Sequence, residues 1–292
     1  MQREIAVLKQ FRYSAKEWFW MKVLFVPLWL VWITMVLYKH HAQPFPEGIC
    51  QYINCAFVAT KPAIYIVLLT ALASAVFYVA GRFMPVATFL LAVISIIVFS
   101  FERSNGIYHR EELFSLIFTV QFIACLRWYF SSGEYKQEVP LRNVAVFYSV
   151  SVIAGAYVLA GIAKINGSGF AWITQSPYAA LQTLQSFEHK SVDTGLEFLI
   201  PYGNFVAALM LKFPFAVQLL FAFALVVELG AFAACFSRKT AQRYGVLLLF
   251  LHLGMFLLLF VKLLVFIWSV ALFMANIPGY FLSKQNLQNE NP

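Results

Sequence analysis

The stretch Met84-Pro-Val-Ala-Thr-Phe-Leu-Leu-Ala-Val-Ile-Ser-Ile-Ile-Val-Phe-Ser-Phe101 carries no charged residue. As a helix it would be about 27 Å long, close to the roughly 30 Å hydrocarbon core of a bilayer. Its apolar residues run on continuously, whereas a barrel strand would alternate apolar and polar positions over about ten residues. The run therefore reads as a membrane-spanning helix. The whole chain shares its character. Of 292 residues, 62% are hydrophobic and 12% charged, against about a quarter charged in an ordinary soluble domain. Thirty-one Phe, fourteen Tyr and seven Trp exceed what a soluble core of this size could bury.

Similar runs lie on both sides of this one. The expected spans are 18–38, 62–80, 84–101, 113–130, 144–163 and 214–236, and the long run 244–281 is divided by Lys262 into 244–261 and 263–281. The predicted fold class is an all-α polytopic membrane protein, a bundle of about eight transmembrane helices forming one domain over 1–292. The net charge of +8 is not a nucleic-acid footprint, because the basic residues sit in short connections between apolar runs. Arg3, Lys9, Arg12, Lys16, Lys22, Arg82, Arg127, Lys136, Arg142, Arg238, Lys239, Arg243 and Lys284 fall on one face of this map. The positive-inside rule makes that face cytoplasmic. Both termini are then expected in the cytoplasm, the first span acts as an uncleaved signal anchor, and the protein is integral to the plasma (inner) membrane. Outside lie the loop from His40 to Lys61, the loop from Glu102 to Glu112, and the long stretch from Lys164 to Phe213.

Cys125 and Cys235 sit within apolar runs and read as core residues. Cys50 and Cys55 share one polar loop, which leaves open a disulfide or two free thiols. Two groups of residues could carry chemistry. Lys164 closes the fifth span after Ala156 and Ala160, small residues that would let this face pack against protein. A lysine there either snorkels to the interface or, desolvated, serves as a base. His109, in the loop before the fourth span, is a solvated histidine or its helper. Glu228 and His252 are the acid and the histidine inside apolar spans, each twelve residues from Thr240 in the connecting turn. Equal spacing would bring them to one depth, either as a hydrogen bond joining two helices or as part of a cofactor or proton route. Trp172, just beyond Lys164, is a belt residue or part of the same site. No Walker loop, GxGxxG, HExxH or CxxC pattern is present.

The order of these landmarks resembles the HTTM family, the membrane domain shared with vitamin K-dependent gamma-carboxylase and the maturation factor B type of sporulation-delaying protein. The resemblance rests on Asn105 and His109, on Tyr157 with Ala160-Gly161-Ile162-Ala163-Lys164-Ile165, on Trp172, on Glu228-Leu229, and on His252 with Gly254-Met255-Phe256. It implies Lys164 as the base that deprotonates a reduced quinone, assisted by His109, with Asn105, Tyr157, Trp172, Glu228 and His252 around the cofactor. It also implies a quinol-coupled enzyme or enzyme subunit that matures an exported peptide, in contact with the lipid bilayer and partner membrane subunits. In the carboxylase the asparagine and histidine are adjacent, whereas Gly106-Ile-Tyr108 separates them here. A non-catalytic membrane scaffold or export-accessory protein and a small transporter are the alternative readings.

Overall fold

The computed structural model describes residues 2–39, 45–106, 111–261 and 263–282, and among them every regular element is helical. A short α1 (Gln2–Leu8) precedes α2 (Ala15–Lys39). Two 3₁₀ turns, Gly48–Gln51 and Cys55–Ala59, lead into α3 (Lys61–Ala80), α4 (Met84–Arg103) and α5 (Glu112–Tyr129). The short α6 (Gly133–Glu138) leads into α7 (Leu141–Ser168) and the single turn α8 (Ala171–Thr174). Then follow α9 (Ala179–Thr194), α10 (Leu199–Lys212), α11 (Pro214–Leu229), α12 (Arg238–Leu259) and α13 (Leu264–Ser269).

Among the described residues seven helices are long and apolar enough to cross a membrane: α2, α3, α4, α5, α7, α12, and α11 with its 3₁₀ continuation to Cys235. The chain is therefore an integral, polytopic, all-helical membrane protein. Local chemistry marks the ends of these helices. Pro62, Pro85 and Pro214 occupy first-turn positions, where the missing N–H costs nothing. Gly81 ends α3 in the left-handed region at φ 72°. The Ser237 side chain accepts from the Thr240 N–H at the start of α12.

The expected eighth span, 263–281, is not one continuous helix. It consists of α13, a π turn Val270–Met274, a break at Asn276 (φ 52°) and a further helical piece. This segment runs back along α12, so close that a Cβ on Gly245 would sit 2.4 Å from the Ala275 nitrogen. Its residues Val270 to Met274 are buried, and Phe273 meets Phe25 with ring centroids 5.1 Å apart. Phe25 also meets Phe114 and Phe118, which places the aromatic core between α2, α5 and this last segment.

Lys22, within the first expected span, is buried, and its amine donates to the Tyr78 and Val79 carbonyls at 2.8 Å each, capping the C-terminus of α3. The long stretch from Lys164 to Phe213 is mostly helix. Cys50 and Cys55 are joined by a disulfide, with Cα atoms 5.3 Å apart.

The N-terminal end of α2 and the close of the last segment share one end of the bundle. There the Asn276 amide donates to Glu17 at 2.9 Å. The disulfide-bearing connection, following α2, lies at the other end, called here the far end.

Candidate functional site

α7 carries the site on the face of Tyr157, Gly161 and Lys164, residues four and three apart that line up on one side of a helix. The face expected to pack was that of Ala156 and Ala160, but Ala160 is exposed and Gly161 is buried. Gly161 is where α11 comes nearest. A Cβ there would lie 2.9 Å from Leu229 Cδ2 and 3.5 Å from the Glu228 Cβ. Removing a side chain at this position is what lets the acid of α11 reach α7.

Lys164 does not end its helix, since α7 continues to Ser168. Its amine donates to both carboxylate oxygens of Glu228 and lies 5.0 Å from the centroid of the Trp172 ring. The lysine side chain is 24% exposed and that of Glu228 is 6% exposed. A snorkelling lysine would leave its helix for water, whereas this one turns onto a buried acid. The Trp172 ring also packs on Phe221 of α11, with centroids 5.4 Å apart. The indole Nε1–H of Trp172 is buried and meets no acceptor among the described residues.

One helical pair of turns below, the Tyr157 hydroxyl and His252 Nε2 share a hydrogen bond, both groups being buried. Phe266 of α13 closes this pair, with centroids 5.8 Å from Tyr157 and 6.4 Å from His252. The two pairs adjoin along α7, since Tyr157 and Lys164 are seven residues, about two turns, apart on one face.

Glu228 and His252 are thus bonded to α7 rather than to each other. Equal spacing from Thr240 does not align them because the two arms differ. Gly230–Cys235 is 3₁₀ helix, which rises about 2.0 Å and turns about 120° per residue, while α12 rises about 1.5 Å and turns about 100°. α7 supplies a separate partner to each.

Five of the expected residues therefore converge: Tyr157, Lys164, Trp172, Glu228 and His252. Asn105 does not join them: it lies in the turn after α4, and its amide donates back to the Phe101 carbonyl of that helix at 2.9 Å. His109 lies outside the described residues. Phe221, Phe266 and the close approach at Gly161 were not singled out from the sequence. The glycine alone left a signal, as the small residue at i−3 from the lysine. No group of three or more His, Cys, Asp or Glu able to hold a metal occurs among the described residues. No family model matches the chain, and neither a curated protein nor a solved structure does so.

Proposed function

We propose that this protein is a quinol-coupled membrane enzyme, or the membrane subunit of one, of HTTM type. The observation that carries the reading is the meeting of Lys164, Glu228 and Trp172 inside a lipid-spanning bundle, with Tyr157 and His252 beside them. Ionisable groups in such a position are costly and are kept where protons or ligands are handled. The unpartnered Trp172 Nε1–H beside the lysine amine fits a ligand that brings an oxygen acceptor on a flat ring.

A bound reduced quinone would supply the electrons and an acidic hydroxyl. The residues would do the rest. Lys164 and Glu228 hold a proton between them, and transfer within the pair leaves a neutral amine facing the ring of Trp172, free to accept a proton. This differs from a lone desolvated lysine, since the carboxylate is the built-in store for the displaced proton. Trp172 and Phe221 exclude water and offer a flat apolar wall. Tyr157 and His252 form a second proton station. The exported-peptide substrate, the plasma-membrane location with cytoplasmic termini, and partner subunits belong to this proposal through the resemblance and the charge pattern.

One observation favours a scaffold instead: both pairs satisfy themselves, as clips between helices would. Organic extraction of the purified protein followed by mass spectrometry separates the readings. The enzyme reading expects a prenylated quinone from the native chain and its loss from Trp172→Ala. No quinone from the native chain, even after incubation with excess, leaves the scaffold.

A further inference from the structure

The α9–α10 hairpin follows α8 and precedes α11 in the chain, and its open faces differ, mostly polar on α9 and mostly apolar on α10. The open face of α9 presents Gln182, Gln185, Glu188, His189 and Asp193, with Leu181 and Val192 exposed among them. That of α10 presents Ile200, Phe205, Leu209 and Leu211, with Phe205 60% and Leu211 59% exposed, together with Asn204 and, at the helix end where its amine can reach water, Lys212. α10 has 14 residues, about 21 Å of helix, too short to cross a bilayer and of the length of an interfacial or re-entrant segment.

The hairpin is fastened to the far end of α12. The Thr183 hydroxyl donates to the Leu258 carbonyl at 3.0 Å and the Tyr202 hydroxyl to the Leu257 carbonyl at 3.2 Å. These carbonyls belong to the last turn of a spanning helix, which has no helical N–H donors for them further along the chain. Phe187 is wedged between Tyr202 and Phe260, at 5.2 and 4.9 Å. Gly203 admits it, since a Cβ there would meet the Phe187 Cβ at 2.7 Å. α10 then passes into α11 through Phe213 and Pro214 with no intervening loop. The exposed Phe215, Leu219, Leu220 and Phe223 of α11 are the lipid-facing residues of a span.

We propose that the hairpin is a half-inserted membrane element: α10 lies within the lipid leaflet at the far end of the bundle, and α9 covers it on the water side. The occupant of the α10 face is the acyl region of the bilayer, because that face continues along the chain into the lipid-facing side of α11. Water would leave a run of large apolar side chains uncovered, and the polar face of α9 shows which side meets water. The hairpin also bears on the site. Phe221 packs against its core of Ala180, Val206, Ala207 and Met210 and, on its other side, against Trp172. A lipid-seated hairpin would therefore hold the wall behind Lys164, whatever that site binds.

The test uses the full chain in phospholipid vesicles, with single cysteines at Phe205, Leu209, Gln185 and His189 carrying a nitroxide. The unsubstituted protein, which retains Cys125 and Cys235, is labelled in parallel for background. Oxygen collects in acyl chains and a nickel chelate in water. The expected result is strong relaxation by oxygen and little by nickel at 205 and 209, and the reverse at 185 and 189. The ratio of the two should differ by about an order of magnitude between the helices. Nickel acting at 205 and 209 as strongly as at 189 would place α10 in water. Protection of 205 and 209 from both reagents would place a protein partner or a second copy on it. Either result overturns the proposal.

Discussion

Two ion pairs tie the bundle together, and they are nearly matched in burial. At the N-terminal end Arg238 meets Glu17, with side chains 28% and 8% exposed. Towards the far end Lys164 meets Glu228, at 24% and 6%. Their surroundings differ. Glu17 also accepts from the Ser14 N–H at 2.6 Å and the Asn276 amide at 2.9 Å, while its own N–H donates to the Ser14 hydroxyl at 3.1 Å. Arg238 also donates to the Arg12 carbonyl and lies over the Tyr13 ring. The Glu228 carboxylate has the lysine as its one hydrogen-bond partner among the described residues, and Lys164 adds the face of Trp172. Among the described residues each site leaves a buried donor unanswered, the Tyr13 hydroxyl in the first and the Trp172 indole in the second. A carboxylate with three donors from three segments of chain has its geometry over-determined. One held by a single flexible lysine keeps lone pairs for something else. The first pair joins three segments of chain, and the second is free to exchange partners.

The largest expected effect breaks the first pair. Glu17→Ala strands the Arg238 guanidinium, the Asn276 amide and the Ser14 N–H at once, and should cost about 3 kcal/mol. The midpoint of denaturant unfolding in detergent micelles measures it. A loss no larger than that of Glu228→Ala would erase the distinction between the sites.

Glu228→Ala comes next, at about 1–2 kcal/mol in the same assay. The loss is smaller because a partly exposed Lys164 can swing away from the vacancy, which the Arg238 network cannot do.

Tyr157→Phe and His252→Asn should each cost about 1 kcal/mol and together less than their sum, since either one breaks the same bond. A double-mutant cycle reads the coupling. Strict additivity would show the two residues acting apart.

Lys164→Arg should shift stability by less than about 1 kcal/mol, because a guanidinium also pairs with a carboxylate through two bonds. It should nonetheless abolish proton acceptance by the site, since arginine does not give up its proton. Stability that is retained while activity is lost marks a chemical role for Lys164. Retention of both marks a clip.

Much of this architecture is legible along the chain because lipid imposes its demand segment by segment. Each crossing must be apolar for its full length and satisfy its backbone internally, so hydropathy alone finds the seven long helices. Ser14-Ala-Lys-Glu17 ahead of an apolar run is also a readable signal. It is the capping box that positions Glu17, although its further bonds to Arg238 and Asn276 depend on residues more than two hundred positions away. The last segment misled for the opposite reason. Its composition suits one helix, but close approach of Gly245 to the backbone at Ala275 accompanies a π turn and a break that no hydropathy pattern records.

The sequence by itself determined that this is a helical membrane protein and that Glu228 and His252 are ionisable side chains set inside apolar spans. Tertiary structure alone decided who pairs with whom. Partnership depends on how far each helix is rotated and how near its neighbour comes. A six-residue change from α to 3₁₀ winding before Ser237 is enough to reset the rotation. Gly161 is enough to set the approach, and together they turn Glu228 toward Lys164 and leave His252 to Tyr157.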